Sequence, residues 1–204
     1  MLKQFLTFAA VVAILLLGAC KDQANRPTET QASGQPVSMT AIQAEAQGFS
    51  VGVPMSARTV YVFFDPQCPH CTALWEAAKP LKNQIRFLWI PVGILNPSST
   101  AQGATILATP DPEAAMDAHE VSMNAKTGGI SAARDIDVQK AAVVQNTQLL
   151  NRFGFASIPT IVASQAQTGA TITHEGAMST VALASFLGLQ LPASASADVS
   201  HIKP

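Results

Sequence analysis

Cys68 and Cys71 enclose the dipeptide Pro69-His70. Two thiols at this spacing can exchange with a disulfide, supply half of a metal site, or close a small structural loop. Just before them Thr59 to Phe64 (TVYVFF) is β-branched and aromatic, which predicts a buried strand. Asp65-Pro66-Gln67 breaks that strand, and a helix is expected from Cys68 to about Asn83. A cysteine at a helix N-terminus meets unsatisfied N–H groups and the positive end of the helix dipole, and both favour the thiolate. The thiolate is the nucleophile in disulfide exchange. Cys71 follows one turn later on the same face, placed to attack a mixed disulfide on Cys68. Exposure in the first turn makes Cys68 the expected nucleophile and Cys71 the resolving thiol. His70 can donate a hydrogen bond or, when charged, stabilise the thiolate and make the pair more oxidising. Pro69 suits a first turn, where no intrahelical N–H bond is lost.

The competing chemistries lack their remaining parts. A zinc site needs two more ligands, and His119, His174 and His201 show no ligand spacing to the pair. Haem attachment needs a histidine directly after Cys71, where Thr72 stands. A structural disulfide here would close a tiny loop and stabilise little. No metal and no cofactor are expected beyond a redox-active Cys68–Cys71 disulfide. His119 and His174 are expected on the surface.

A second signal is Gly154-Phe155-Ala156-Ser157-Ile158-Pro159-Thr160-Ile161-Val162. A proline directly before an apolar β-branched run gives the sheet no N–H. Pro159 either opens the strand in trans or forms a cis bond with Ile158 that presents the Ile158 backbone to an incoming chain.

These pieces need a scaffold. The chain has 204 residues, 48% hydrophobic and 12% charged, with a net charge of −1. That describes a folded protein with no electrostatic draw to nucleic acid or anionic lipid. Beyond the first strand and helix, Ile85 to Val92 predicts a second strand, and Pro80 is placed to kink or end the helix before it. A helical stretch over about 98–153 follows, with helices at Ser99–Ala108, Pro112–Met123 and Val138–Phe153 and with Asp111 and Asp137 as N-cap candidates. Gly128-Gly129 marks a loop within it. Ile158–Ala163 and Thr171–His174 predict a hairpin, and Ser179 caps a last helix to about Leu187. Upstream, Ser38 can cap a short helix to Gln47, with Gly48 placed to end it. The order predicts an α/β fold in which the helical block is inserted where a crossover would run.

The N-terminus reads as a targeting segment. Lys3 precedes an apolar run from Phe5 to Leu17, shorter than the roughly 20 residues of a membrane span. Residues 1–19 are expected to be a signal peptide, and Leu17-Gly18-Ala19-Cys20 resembles a bacterial lipobox. Its reading is acylation of Cys20; the alternative is an ordinary signal peptide with a chance cysteine. Lys21 stands where an inner-membrane retention aspartate would, which points to the outer membrane. Residues 20–37 are polar and suit a flexible, lipid-anchored tether. Residues 38–191 hold the catalytic domain, and residues 192–204, with His201, read as a disordered tail.

Strand, Cys-x-x-Cys helix, strand, and Ile-Pro-Thr before a hairpin together resemble the thioredoxin fold. Tyr61-Val62-Phe63-Phe64-Asp65-Pro66-Gln67-Cys68-Pro69-His70-Cys71 resembles the active-site strand of the periplasmic DsbC/DsbG disulfide isomerase family. Val92-Gly93-Ile94-Leu95-Asn96-Pro97, Ala104-Thr105-Ile106-Leu107-Ala108, Asp111-Pro112, Asn146 and Leu149-Leu150 add to it, over roughly residues 38–190. Val62 stands where thioredoxin and DsbA carry a buried acid, as in the isomerase branch. Three features depart. Only a short segment precedes the catalytic domain where the family has a dimerisation domain, so a monomer is expected. Pro69-His70 is the dipeptide of the oxidase DsbA, and Ile158 replaces the threonine usual before the cis-proline.

The resemblance implies a lipid-anchored thiol–disulfide oxidoreductase on the periplasmic side of the cell envelope. Its substrates would be proteins with disulfides or oxidised cysteines, including sulfenic acids, and Ile158 and Pro159 would bind the substrate backbone. Electrons would come from a DsbD-like membrane donor. The alternatives are a DsbA-like dithiol oxidase recycled by a DsbB-like partner, and a chaperone-like client-binding module with incidental cysteines.

Overall fold

The computed structural model describes residues 34–191. The expected signal segment, Cys20, nearly all of the tether, the tail and His201 lie outside the described residues. Among the described residues, no helix is long and apolar enough to cross a membrane.

The chain runs α1 (Met39–Glu45), β1 (Phe49–Gly52), β2 (Thr59–Phe64), α2 (Pro69–Ala78), β3 (Arg86–Pro91), α3 (Pro97–Ala108), α4 (Pro112–Asn124), α5 (Asp137–Arg152), β4 (Thr160–Ser164), β5 (Thr171–Glu175) and α6 (Thr180–Leu187). Five strands form one sheet in the order β1-β3-β2-β4-β5. β2 lies at its centre, parallel to β3 and antiparallel to β4, which explains its unbroken apolar sequence. Phe63 and Phe64 are consecutive and so face opposite sides of the sheet. Phe64 joins Phe49, Trp75 and Trp89, with the two tryptophan rings 4.8 Å apart, and this aromatic cluster seats α2 on the sheet. Phe63 faces Phe155, whose ring centroid lies 6.4 Å away.

The expected helical insert is three helices. Asn96 and Ser99 close a reciprocal capping box at the start of α3, and Asp111 caps α4 through the Ala114 amide. Ser38 and Ser179 cap α1 and α6 as expected. α2 ends at Ala78 and tightens into a 3-10 turn over Lys79–Leu81, around Pro80.

Two local expectations are corrected, and one strand is added. Asp137 does not cap α5: Ile136 occupies the cap position without a side-chain bond, and Asp137 is the first helical residue, paired with Lys140 at 3.1 Å. Gly48 does not end α1, which stops at Glu45 with Ala46 extended. A Cβ at Gly48 would meet the Trp89 backbone, so the glycine lets the chain approach β3 instead. That approach starts β1, a four-residue edge strand antiparallel to β3 that the sequence reading lacks.

Candidate active site

β2 delivers the chain to the site, and Asp65 shapes the turn that follows. Its side chain is fully buried and accepts three backbone amides: Gln67 at 2.8 Å through Oδ1, and Ile94 and Leu95 at 2.8 and 3.0 Å through Oδ2. One carboxyl group thus ties the loop into α2 to the loop after β3. Asn96 strengthens the tie by donating to Gln67 Oε1 at 3.1 Å. The Cys68 amide then bonds the Asp65 carbonyl at 3.0 Å, and Cys68 becomes the N-cap of α2 with Pro69 at N1.

Cys68 is 4% exposed and Cys71 1%, whereas Pro69 and His70 are exposed. The expected difference in exposure therefore does not separate the two thiols; their electrostatics do. The Cys71 thiol, as hydrogen-bond partner, brings Cys68 down to about 6, against the effect of burial; the N–H groups of Cys71 and His70 and the His70 charge add to the lowering. Burial first, and the Cys68 sulfur second, push Cys71 well above the ordinary thiol range. Both cysteines are free. A neighbouring pair of this kind makes one ready thiolate and one thiol that keeps its proton.

The proline loop closes the site from the other side. The Ile158–Pro159 peptide bond is cis, and the Ile158 carbonyl oxygen lies 3.8 Å from Cys68 Sγ. Ile158 and Pro159 are buried, while Ala156 and Ser157 before them are exposed. The Pro159 carbonyl accepts the Gly176 amide at 2.7 Å, holding the turn to the end of β5. The structure therefore brings Cys68, Pro69, His70, Cys71, Ile158 and Pro159 together. Cys20 lies outside the described residues.

His119 is not a surface residue. It is fully buried on α4. Its Nε2 lies 2.7 Å from the Pro66 carbonyl, and its Nδ1 accepts the Ile130 amide at 3.2 Å. A carbonyl can only accept and an amide can only donate, so the ring is the neutral Nε2–H tautomer. Burial keeps it below the usual imidazole range, with Pro66 and Asp65 pulling the other way. Gly129, at φ +86°, passes so close that a Cβ would collide with the ring. His174 is half-buried in β5, its ring centroid 6.0 Å from that of Phe186. Among the described residues, no group of three His, Cys, Asp or Glu side chains could hold a metal ion.

Asp65 and Gln67, expected only as a break after the strand, and Gln102 and Glu120, for which no role was expected, also surround the site. Gln67 Nε2 donates to Gln102 Oε1 and to the Gly128 carbonyl, and Gln102 Nε2 donates to the carbonyls of Gly128 and Ile130. One local signal was available for α4. Met116 and Met123, seven residues apart, mark its inward stripe, and His119 and Glu120 fall within it.

A central strand that hands a Cys-x-x-Cys pair to a helix N-terminus, opposite a proline turn, is the architecture of thioredoxin-like proteins. The chain belongs to that family: its sequence matches the thioredoxin-like domain over residues 54–190. It is also similar to the thiol:disulfide interchange protein DsbG of Pseudomonas aeruginosa, 35% identical over 133 residues, covering 64% of this chain and 51% of that protein. Against the protein of the same name from Escherichia coli it is 38% identical over 65 residues, 31% of this chain and 26% of the other. The chain thus spans about half the length of the first of these relatives and about a quarter of the second. Among solved structures, a periplasmic thioredoxin-like protein from Salmonella enterica aligns with TM-score 0.58 at 15% identity, over 76% of this chain and 97% of that one. Pseudomonas aeruginosa DsbA2 aligns with TM-score 0.56 at 18% identity, over 68% and 91%. At such identities these two likenesses speak to the fold alone.

Proposed function

We propose that the chain is a thiol–disulfide oxidoreductase of the bacterial cell envelope that reduces or isomerises disulfides in proteins. The observation that carries the exchange chemistry is the opposed ionisation of the two thiols, with Cys68 held near 6 beside the Ile158 carbonyl and Cys71 held protonated; the direction rests on the resemblance of residues 61–71 to the disulfide isomerase branch. The Cys68 thiolate attacks one sulfur of a substrate disulfide, forming a mixed disulfide and releasing the other sulfur as a thiolate. Cys71 then loses its proton and attacks Cys68 Sγ. The Cys68–Cys71 disulfide forms, the substrate leaves with both sulfurs reduced, and a dithiol donor must reduce the enzyme again. A sulfenic acid on a protein would be reduced by the same attack, with water as the leaving group.

The Ile158–Pro159 turn borders the sulfur, where a substrate backbone can lie against it. The loop that Asp65 pins beside the site carries Ile94 and Leu95, 44% and 50% exposed. Two apolar side chains held this way suit the apolar residues that flank cysteines in an incompletely folded chain. Cys20, if acylated, anchors the domain to a membrane facing the periplasm, the outer one on the reading of Lys21. A DsbD-like membrane protein would supply electrons.

Two observations favour the reverse direction as the second reading. The Pro69-His70 dipeptide and the low Cys68 value stabilise the dithiol form, as in a DsbA-like oxidase recycled by a DsbB-like partner. The redox state of the pair in cells, read by acid quench and alkylation with a mass-shifting reagent, separates them. A reduced pair that becomes oxidised on deletion of the donor supports the reductase or isomerase. A fully oxidised pair, indifferent to that deletion, rejects it in favour of the oxidase.

A further inference from the structure

Glu120 is the one acidic side chain among the described residues that is buried without a full set of partners. It is 2% exposed, and its Oε2 has no hydrogen-bond partner. A buried carboxyl left in this way costs stability, and the thiol exchange described above does not use it.

Its position follows from how α4 lies along α2. Near the C-terminal end of α2, Asp117 Oδ1 accepts from Trp75 Nε1 at 2.8 Å and pairs with Lys79 at 2.8 Å. Two turns further along α4, the Met123 sulfur meets Gln67 Nε2 at 3.6 Å, directly before Cys68. Glu120 lies between these contacts and so stands beside the first turn of α2. The Thr72 hydroxyl is a polar neighbour there, and it lies 3.5 Å from the Cys68 carbonyl.

The charges that face Glu120 come from α2 and the turn after it: Cys68 and Glu76 oppose its ionisation and Lys79 favours it. On its own helix, Asp117 is committed to Trp75 and Lys79, and His119 turns to Pro66. β1 and α3, which also pack on α4, contain no ionisable side chain.

We propose that Glu120 is the proton site that exchanges negative charge with Cys68 as the Cys68–Cys71 pair is reduced and oxidised. This rests on the redox reading given above. In the disulfide form no thiolate stands near Glu120, and the carboxyl is ionised. A dithiol donor carries two protons and two electrons. When it reduces the disulfide, one proton stays on Cys71 and the other passes to Glu120, while Cys68 becomes the thiolate and the donor becomes a disulfide. The negative charge thus moves from Glu120 to Cys68, and no proton is drawn from solvent. Oxidation of the pair reverses each transfer. In the reduced protein Glu120 is pushed up to about 7, chiefly by burial, with the Cys68 charge contributing in the same direction. Asp65, the other buried carboxyl at this end of α2, is committed to the amides of Gln67, Ile94 and Leu95, so among the described residues Glu120 is the buried carboxyl beside α2 with an oxygen left unpartnered.

The test is a pH titration of the side-chain carboxyl carbon in full-length protein labelled with carbon-13 glutamate, once in excess dithiothreitol and once oxidised. E120Q identifies the resonance by its loss. The expected result is a Glu120 midpoint near neutrality in the reduced protein and a more acidic one in the oxidised protein. Equal midpoints in both states would overturn the proposal. A companion reading is the thiolate absorbance of Cys68 against pH. Two coupled inflections are expected in the wild type and a single, more acidic one in E120Q; an unchanged profile in E120Q would also overturn it. If E120Q does not fold, the two wild-type titrations decide alone, the resonance then being assigned from its proximity to Thr72. If dithiothreitol cannot cycle the cysteine pair at all, the redox reading itself fails, and this proposal falls with it.

Discussion

His119 on α4 reaches across the molecule to the Pro66 carbonyl, 2.7 Å away and 53 positions earlier in the chain. Pro66 lies in the loop that carries Cys68, so the helical insert braces the active-site turn directly. The same ring takes the Ile130 amide and leaves Gly129 no room for a side chain. Gln102 adds bonds to Gly128 and Ile130 from α3. The insert is therefore part of the site's support.

Replacing His119 with leucine removes a donor and an acceptor and strands two buried backbone groups. H119L is expected to lose about 2–4 kcal/mol of folding free energy, measured by denaturant unfolding. The wild type has a pH signature that the variant lacks. The folded imidazole titrates below its unfolded value of about 6.5, so its contribution is complete above that pH and is lost as pH falls through the lower folded value. A wild-type stability profile flat through this acid range would contradict the assignment.

Cys68 should react with iodoacetamide at a rate that rises with pH through a midpoint near 6. Cys71 should remain unreactive until well into the alkaline range. H70A is expected to move the Cys68 midpoint upward, because the His70 N–H and charge both lower it, although the backbone part survives the substitution. The relative stability of the reduced protein follows the same group. Its folded value is depressed, so the stabilisation is complete above the unfolded value and is lost as pH falls through about 6.

Ile94 and Leu95 predict a difference between protein and small-molecule substrates. The double variant I94S/L95S keeps the backbone amides that Asp65 binds. Its kcat/KM toward a reduction-sensitive protein such as insulin should fall about tenfold, equivalent to about 1.4 kcal/mol, through KM. Its rate with a small disulfide such as oxidised glutathione should not change. Equal losses on both substrates would remove these residues from client binding.

Glu120 makes folding stability depend on pH with the opposite sign to His119. Its folded value is raised, so its contribution is complete below the unfolded carboxyl value and is lost as pH rises through about 7. In the reduced protein above that pH, E120Q should be more stable than the wild type by up to about 3 kcal/mol. Parallel stability profiles for the two proteins would contradict this.

The parts legible in the sequence were those written in local chemistry. The β-branched run over 59–64, the caps at Ser38, Asp111 and Ser179, and Pro80 at the end of α2 each act within a few residues of themselves. The cysteine pair and Pro159 were legible for the same reason. β1 was missed because four residues, Phe49–Gly52, make too short a pattern to separate from a loop; its reason for existing is the approach of Gly48 to Trp89. Asp65 and His119 were missed because their partners lie on other elements, 29 and 53 positions away. Nothing near an aspartate or a histidine in sequence shows that a distant amide or carbonyl waits for it. Asp137 failed as a cap because helix α5 starts one residue earlier in register, with Ile136 buried at the cap position.

The division of labour between the two thiols is the centre of this account, and trapping tests it most directly. C71S leaves the attacking thiolate without its resolving partner; C68S leaves a buried, protonated thiol. Incubated with disulfide-containing protein and analysed by mass spectrometry without reductant, C71S should accumulate mixed disulfides through Cys68, and C68S should accumulate none. Mixed disulfides on Cys71 in C68S, or none on Cys68 in C71S, would contradict it.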